Sequence, residues 1–304
     1  MRHLRAQALA VASISVAGIA ALAQSGNPPQ VRQMRANGVE LAYVEQGQGT
    51  PVIFVHGAVT DLRLWEPQRS AFASQYRFVA YSYRYHGTDP WPDEGTHYSA
   101  ETHAADLVAF MSALKAGPVH LVGLSYGGML AAMVATKEPQ LVRTLTLAEP
   151  GLFSLLAEHP EGKSALEQWN KGFEPIVAAI KAGDTVQATR HLAALVTGGS
   201  PDEFDKIPAG LREVLLGNAR TLPLLLASAP MDVTCEMLRG IEIPTLVVRG
   251  ERTPGFFAKV SAAVGRCIPG SRMAVIPDAS HAMSYDNPAA FNREVLEFLS
   301  GVKS

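Results

Sequence analysis

Six residues, Gly123-Leu124-Ser125-Tyr126-Gly127-Gly128, constrain this chain more than any other segment. They follow an apolar run, Val119-His120-Leu121-Val122, and precede a stretch of helical character from Met129 to Thr136. A strand that turns this sharply into a helix packs backbone against backbone, so only small residues fit at the flanking positions. The serine at the centre of such a turn lifts its hydroxyl above the edge of a sheet. The pentapeptide alone is a weak signal. The strand before it and the helix after it make Ser125 a candidate nucleophile.

The rest of the chain supplies the sheet that this turn requires. Val39 to Glu45 alternates apolar and polar residues, as an outer strand does. Pro51-Val52-Ile53-Phe54-Val55, Arg77-Phe78-Val79-Ala80-Tyr81 and Leu145-Thr146-Leu147-Ala148 are short apolar runs of the kind buried on both faces. Glu101 to Leu114 has helical spacing between two of them. Strand–helix–strand order of this kind implies parallel strands with crossover helices. Between Gly151 and Asp232 the rhythm changes to helical patterns (Lys163 to Lys181, Thr185 to Val196, Gly210 to Leu226) without a good strand. Strands resume at Pro244 to Val248 and Met273 to Ile276, and a last amphipathic helix runs from about Pro288 to Leu299. The expected organisation is a core of residues 31–150 and 232–304, split by a helical cap at 151–231.

Residues 1–23 read differently. Arg2, His3 and Arg5 precede an uncharged, Ala-rich stretch ending in Ala21-Leu22-Ala23, the pattern of a cleaved secretory signal peptide. An uncleaved anchor is the alternative. Cleavage near Ala23 implies a periplasmic or secreted enzyme with a net charge of about −4. Export permits a disulfide between Cys235 and Cys267, the two cysteines of the chain, but spacing alone leaves the pairing open. A formal net charge of −2 for the whole chain, with no run of like charges, argues against a nucleic-acid partner. No cofactor is expected. No metal site is indicated either, because there is no histidine pair at i, i+4 and no cysteine cluster.

A serine hydroxyl needs a base, and histidine titrates in the useful range. Of nine histidines, His281 is the best placed, in Pro277-Asp278-Ala279-Ser280-His281 between the last strand and the last helix. His86 lies in a loop where substrate binding is conceivable, and His103 and His120 read as surface or packing residues. An acyl-transfer intermediate needs two converging N–H donors. Tyr126, next after the nucleophile, supplies one, and Ala58 in Val55-His56-Gly57-Ala58-Val59 is the best position for the other. His56 is expected to order this loop, and with Gly57 to lie against the substrate. Phe153, Leu155, Leu156, Trp169, Phe173, Leu224 and Leu225 are the apolar residues with which the cap can line a pocket, Phe153 and Trp169 foremost.

With these pieces in order, the chain resembles the α/β-hydrolase superfamily, in the branch with a helical cap after the sixth strand. The matching segments are His56-Gly57 with Trp65 downstream, Tyr83-Arg84-Tyr85-His86-Gly87, Gly123 to Gly128, Ile243 to Gly250, and His281 with Asn287-Pro288 after it. The resemblance implies an α/β fold: a mostly parallel eight-stranded sheet, helices on both faces, and the cap between strands 6 and 7. It departs at one point. The family's usual triad acid follows the seventh strand in Gly-x-x-Asp, and here the segment reads Gly250-Glu251-Arg252-Thr253. Threonine cannot carry the charge that stabilises an imidazolium. Glu149, ending the sixth strand, is the favoured substitute, because some relatives place the acid there and a carboxylate ending an apolar strand needs a partner. Glu251, Asp278 and Asp286 are the other candidates.

The resemblance implies a serine hydrolase with Ser125, His281 and Glu149 as triad, acting on a mid-sized hydrophobic ester or lactone. Hydrolysis of a carbon–carbon bond in a vinylogous diketone would use the same residues. A ligand receptor on a hydrolase scaffold is the alternative of another class. Tyr126 stands where cofactor-free haloperoxidases often carry methionine, which disfavours that activity. The expected partner is a small hydrophobic molecule, with no stable membrane insertion after processing; a homodimer is left open.

Overall fold

The computed structural model describes residues 29–158, 160–229 and 232–302; the signal-peptide reading of residues 1–23 lies outside them. Eight strands form one sheet: β1 (Arg32–Ala36), β2 (Val39–Gln46), β3 (Pro51–Val55), β4 (Arg77–Tyr81), β5 (Val119–Leu124), β6 (Val142–Ala148), β7 (Thr245–Gly250) and β8 (Arg272–Ile276). Their spatial order is β1-β2-β4-β3-β5-β6-β7-β8. β1 and β2 pair antiparallel, as do β2 and β4; every other pair is parallel.

The apolar runs explain the central strands. Val52 and Phe54 face one side and Ile53 and Val55 the other, and all four are inaccessible to solvent. On the first side they meet Phe72 of α1 (Glu66–Ala73) and Phe291, Val295 and Phe298 of the C-terminal helix. On the second they meet Leu107 of α2 (Ala100–Ala113) and Leu130 of α3 (Tyr126–Lys137), with Val260 of a later helix in the same layer. The sheet is thus sandwiched between two helical layers, as parallel strands with crossover helices require.

The segment between β6 and β7 is helical: α4 (Pro160–Lys181), α5 (Thr185–Thr197), α6 (Ala209–Gly217), α7 (Leu222–Ala227) and the short α8 (Cys235–Arg239). The single helix expected from Gly210 to Leu226 is broken at Asn218. That residue is buried, donates to Asp61 Oδ2 at 2.7 Å, and accepts from the Gly87 amide at 2.7 Å. Side-chain bonds to the core replace the helix there, and Pro223 opens α7. After β7 come α9 (Gly255–Cys267), α10 (Met283–Asp286) and α11 (Pro288–Ser300). Cys235 and Cys267 form a disulfide that fastens α8 to α9. Among the described residues no helix is long and apolar enough to cross a membrane.

Candidate active site

Four loops meet at the C-terminal edge of the sheet, the edge at which open α/β sheets bind ligands. β3, β5 and β6 are neighbours, so the segments after Val55, Leu124 and Ala148 lie side by side. The turn at Ser125 has φ 56° and ψ −119°, a conformation that a residue with a side chain rarely adopts. It is fixed by backbone bonds: the Ser125 amide donates to Ala148 O at 2.9 Å, and Ser125 O accepts from Gly151 N at 2.8 Å. The flanking glycines are sterically required. A Cβ at Gly123 would lie 2.4 Å from Gly127 O, and one at Gly127 would lie 2.3 Å from both Val55 O and His56 O. Side-chain movement relieves neither clash, because the atoms met are backbone.

Glu149 follows β6 directly, with φ 41° and no solvent exposure. Its Oε1 accepts from the Gly250 amide at 2.8 Å, and its Oε2 from Thr253 Oγ1 at 2.9 Å. His281 Nδ1 lies 2.6 Å from the same Oε2. Since a carboxylate can only accept, Nδ1 carries the proton and Nε2 keeps its lone pair, the tautomer that a general base requires. The Phe257 ring stacks on the imidazole, centroids 3.8 Å apart and planes 11° from parallel. Glu251 accepts instead from the Asp278 amide, and Asp286 holds the Ser280 amide and hydroxyl. The structure therefore pairs His281 with Glu149, places Ser125 and His281 on one cavity, and bonds Glu251 and Asp286 to other partners.

Ser125 and His281 open into one cavity of about 1160 Å³, whose floor includes Gly57, Ala58 and Tyr126. Phe153 and Trp169 are in its wall, stacked with centroids 3.8 Å apart, and Phe173 and Leu225 line it as well. Leu155, Leu156 and Leu224 do not line it. The first two are buried in the core, and Leu224 packs against Gly95. Tyr126 is the first residue of α3, so its amide has no partner within the helix.

His56 is a correction. It does not touch the cavity; it is fully buried, with its ring stacked on Tyr83 at 3.9 Å. β3 ends at Val55, and beyond it the His56 ring turns into the core against Tyr83 while Gly57 and Ala58 line the cavity. Burial lowers its pKa to about 4 and that of His103 to about 3, and it holds His86 well below the ordinary value; all three rings are neutral near pH 7. His86 too is buried, away from the cavity, and His103 Nδ1 lies 2.9 Å from the Tyr126 hydroxyl. Just beyond Ala58, Val59 has φ 55°, an outlier for a β-branched residue. Its side chain is fully buried among Ile176, Ala188, Leu192 and Leu222 of the helical insertion.

Two further features escape the sequence. Thr253 bonds to Glu149, and Phe257 backs His281 from α9. The signal for the second exists: Phe256, Val260, Ala263, Val264 and Cys267 fall at helical spacing.

Comparison with known proteins agrees with this fold. A 2-(acetamidomethylene)succinate hydrolase from Mesorhizobium japonicum is 26% identical over 276 residues, covering 88% of this chain and 94% of that protein. A non-heme chloroperoxidase from Kitasatospora aureofaciens is 30% identical over 290 residues, 87% of this chain and 97% of that one. A solved N-acyl homoserine lactone degrading enzyme superimposes with a TM-score of 0.69 at 25% identity, over 88% of this chain and all of that one. The family model for the alpha/beta hydrolase fold matches residues 50–288. With the turn at Ser125, the sheet order and this match in agreement, the chain belongs to the alpha/beta hydrolase fold family and is a hydrolase.

Proposed function

We propose that this enzyme is a serine hydrolase that forms an acyl-enzyme at Ser125, with a mid-sized apolar carboxylic ester or lactone as substrate. The observation that carries the reading is the 2.6 Å contact between buried Glu149 and His281 Nδ1, since His281 lines the same cavity as Ser125. His281 Nε2 takes the Ser125 proton as Oγ attacks the acyl carbon. The amides of Ala58 and Tyr126 hold the oxyanion. The imidazolium, balanced by Glu149, protonates the leaving alkoxide; a water then gives its proton to Nε2 as its oxygen bonds the acyl carbon, and the Ser125 Oγ–acyl bond breaks as Nε2 returns that proton to Oγ, releasing the acid. The lining of Phe153, Trp169, Phe173 and Leu225 favours an apolar acyl or alcohol part. The lactone-degrading neighbour supports the ester–lactone class. The helices between β6 and β7 act as a cap over the site. The Cys235–Cys267 disulfide supports an exported, oxidising location.

The test is labelling with a fluorophosphonate probe, alongside turnover of nitrophenyl esters and lactones of graded length. Wild type is expected to label, and Ser125→Ala to lose both labelling and turnover. Labelling that persists in Ser125→Ala overturns the nucleophile. Cleavage of a vinylogous diketone without ester or lactone turnover overturns the substrate class and leaves the triad.

A further inference from the structure

Tyr83 is fully buried and absent from the cavity wall, yet its hydroxyl donates to Gly57 O at 2.9 Å. Two more donors reach the same oxygen, Thr60 Oγ1 at 2.8 Å and His56 Nδ1 at 2.9 Å. That carbonyl belongs to the peptide unit whose other end is the Ala58 N–H. The described chain has no cis peptide bond, so the N–H points opposite to the carbonyl, away from Tyr83 and toward the cavity that Gly57 and Ala58 line. The orientation of one peptide plane is thus set by three side chains, Tyr83 and His56 from the buried side and Thr60 from the cavity lining.

The Tyr83 ring is itself enclosed. His56 stacks on it at 3.9 Å, with planes 8° from parallel, and His86 and His103 lie at 4.2 and 4.8 Å. Nε2 of each of these three imidazoles is buried without a hydrogen-bond partner among the described residues. The phenol between them stays protonated, because burial pushes it well above its ordinary range, so it remains a donor. Val59, immediately after Ala58, holds a backbone conformation that persists only where the surroundings over-determine it.

We propose that Tyr83 is a positioning residue for the oxyanion site: caged by His56, His86 and His103, it fixes the Gly57–Ala58 peptide so that the Ala58 amide meets the developing oxyanion. The inference rests on the serine-hydrolase reading, in which Ala58 is an oxyanion donor. The role falls in the transition state, where the substrate oxygen becomes charged, and not in ground-state binding.

The experiment is Tyr83→Phe, which keeps the ring and removes the hydroxyl, assayed on the full chain with a nitrophenyl ester and an alkyl trifluoromethyl ketone. The ketone adds to Ser125 Oγ and leaves a hemiketal oxyanion in the same place. We expect kcat to fall by about tenfold with KM unchanged, and the inhibition constant of the ketone to rise by a similar factor. A lowered melting temperature with kcat and ketone affinity intact shows a purely structural tyrosine and overturns the proposal. Should Tyr83→Phe not fold, Thr60→Val and Thr60→Ser decide. Serine, which keeps the hydroxyl, should retain more kcat than valine; equal values overturn the proposal. Wild-type labelling at Ser125 by a fluorophosphonate separates failure of this inference from failure of the serine-hydrolase reading.

Discussion

Thr253 Oγ1 and His281 Nδ1 bind the same oxygen of Glu149, at 2.9 and 2.6 Å. The residue at the family's usual acid position is therefore a donor to Glu149, the acid proposed in its place. A buried carboxylate is costly unless its lone pairs are met, and here Gly250 N, Thr253 Oγ1 and His281 meet them. Glu149→Gln should lower kcat by about 10³–10⁴-fold with KM nearly unchanged, since the amide can present a donor to Nδ1 and favour the wrong tautomer. Steady-state kinetics with a nitrophenyl ester checks this; a fall under tenfold would remove Glu149 from the triad.

Thr253→Val should act less severely. It removes one hydrogen bond to a charged group, worth about 1.5–3 kcal/mol. Urea unfolding is expected to show that loss, and kcat to fall while KM holds. Unchanged stability would mean that water replaces the hydroxyl.

The Cys235–Cys267 bridge closes a loop of 32 residues that contains β7 and most of α9. Its loss should cost about 2–4 kcal/mol, chiefly through a less constrained unfolded chain. Thermal melts with and without reductant, and of Cys235→Ser with Cys267→Ser, measure this. Reduction should also speed inactivation, because α9 carries the Phe257 ring that backs His281.

Acid should destabilise the fold before the surface carboxylates titrate. His56 and His103 hold folded pKa values of about 4 and about 3 because burial disfavours their charge, against an ordinary value of 6.5. Between these limits the unfolded chain binds more protons than the folded one, so stability rises with pH. Going down from pH 6.5 toward 4, each histidine should cost up to about tenfold in the folding constant per pH unit. Urea midpoints at pH 7, 6 and 5 test the slope, and a flat profile over this range would contradict neutral burial of the two rings.

Trp169→Ala should shorten the preferred chain. The indole stacks on Phe153 in the cavity wall, so its removal enlarges the pocket and takes away apolar contact. KM for longer nitrophenyl esters is expected to rise more than for acetate; a uniform change along the series would place the acyl group elsewhere.

The loop edge of the sheet is more legible in the sequence than its supports. The turn at Ser125 is legible because glycines at 123 and 127 leave a steric trace, and the pairing of Glu149 because a carboxylate ending an apolar strand demands a partner. His56 was misplaced toward the substrate: adjacency to Gly57 says nothing of which way a side chain points at a strand end. Thr253 read as a vacancy, because its hydrogen bond spans 104 positions and leaves no local pattern. The break at Asn218 was invisible for the same reason, since its partners Asp61 and Gly87 lie far back in the chain.

Val59 places one residue of a core loop inside the hydrophobic cluster of the insertion. The two parts of the molecule are therefore not separable modules. A graft that swaps residues 151–231 for those of a relative, meant only to change specificity, would also empty the socket that holds this valine in its left-handed turn. Any transplanted segment must bring a matching pocket of Ile176, Ala188, Leu192 and Leu222 character, or the loop beside Ser125 is free to relax. Inheritance of substrate range and inheritance of turnover are, in this chain, tied at a single side chain.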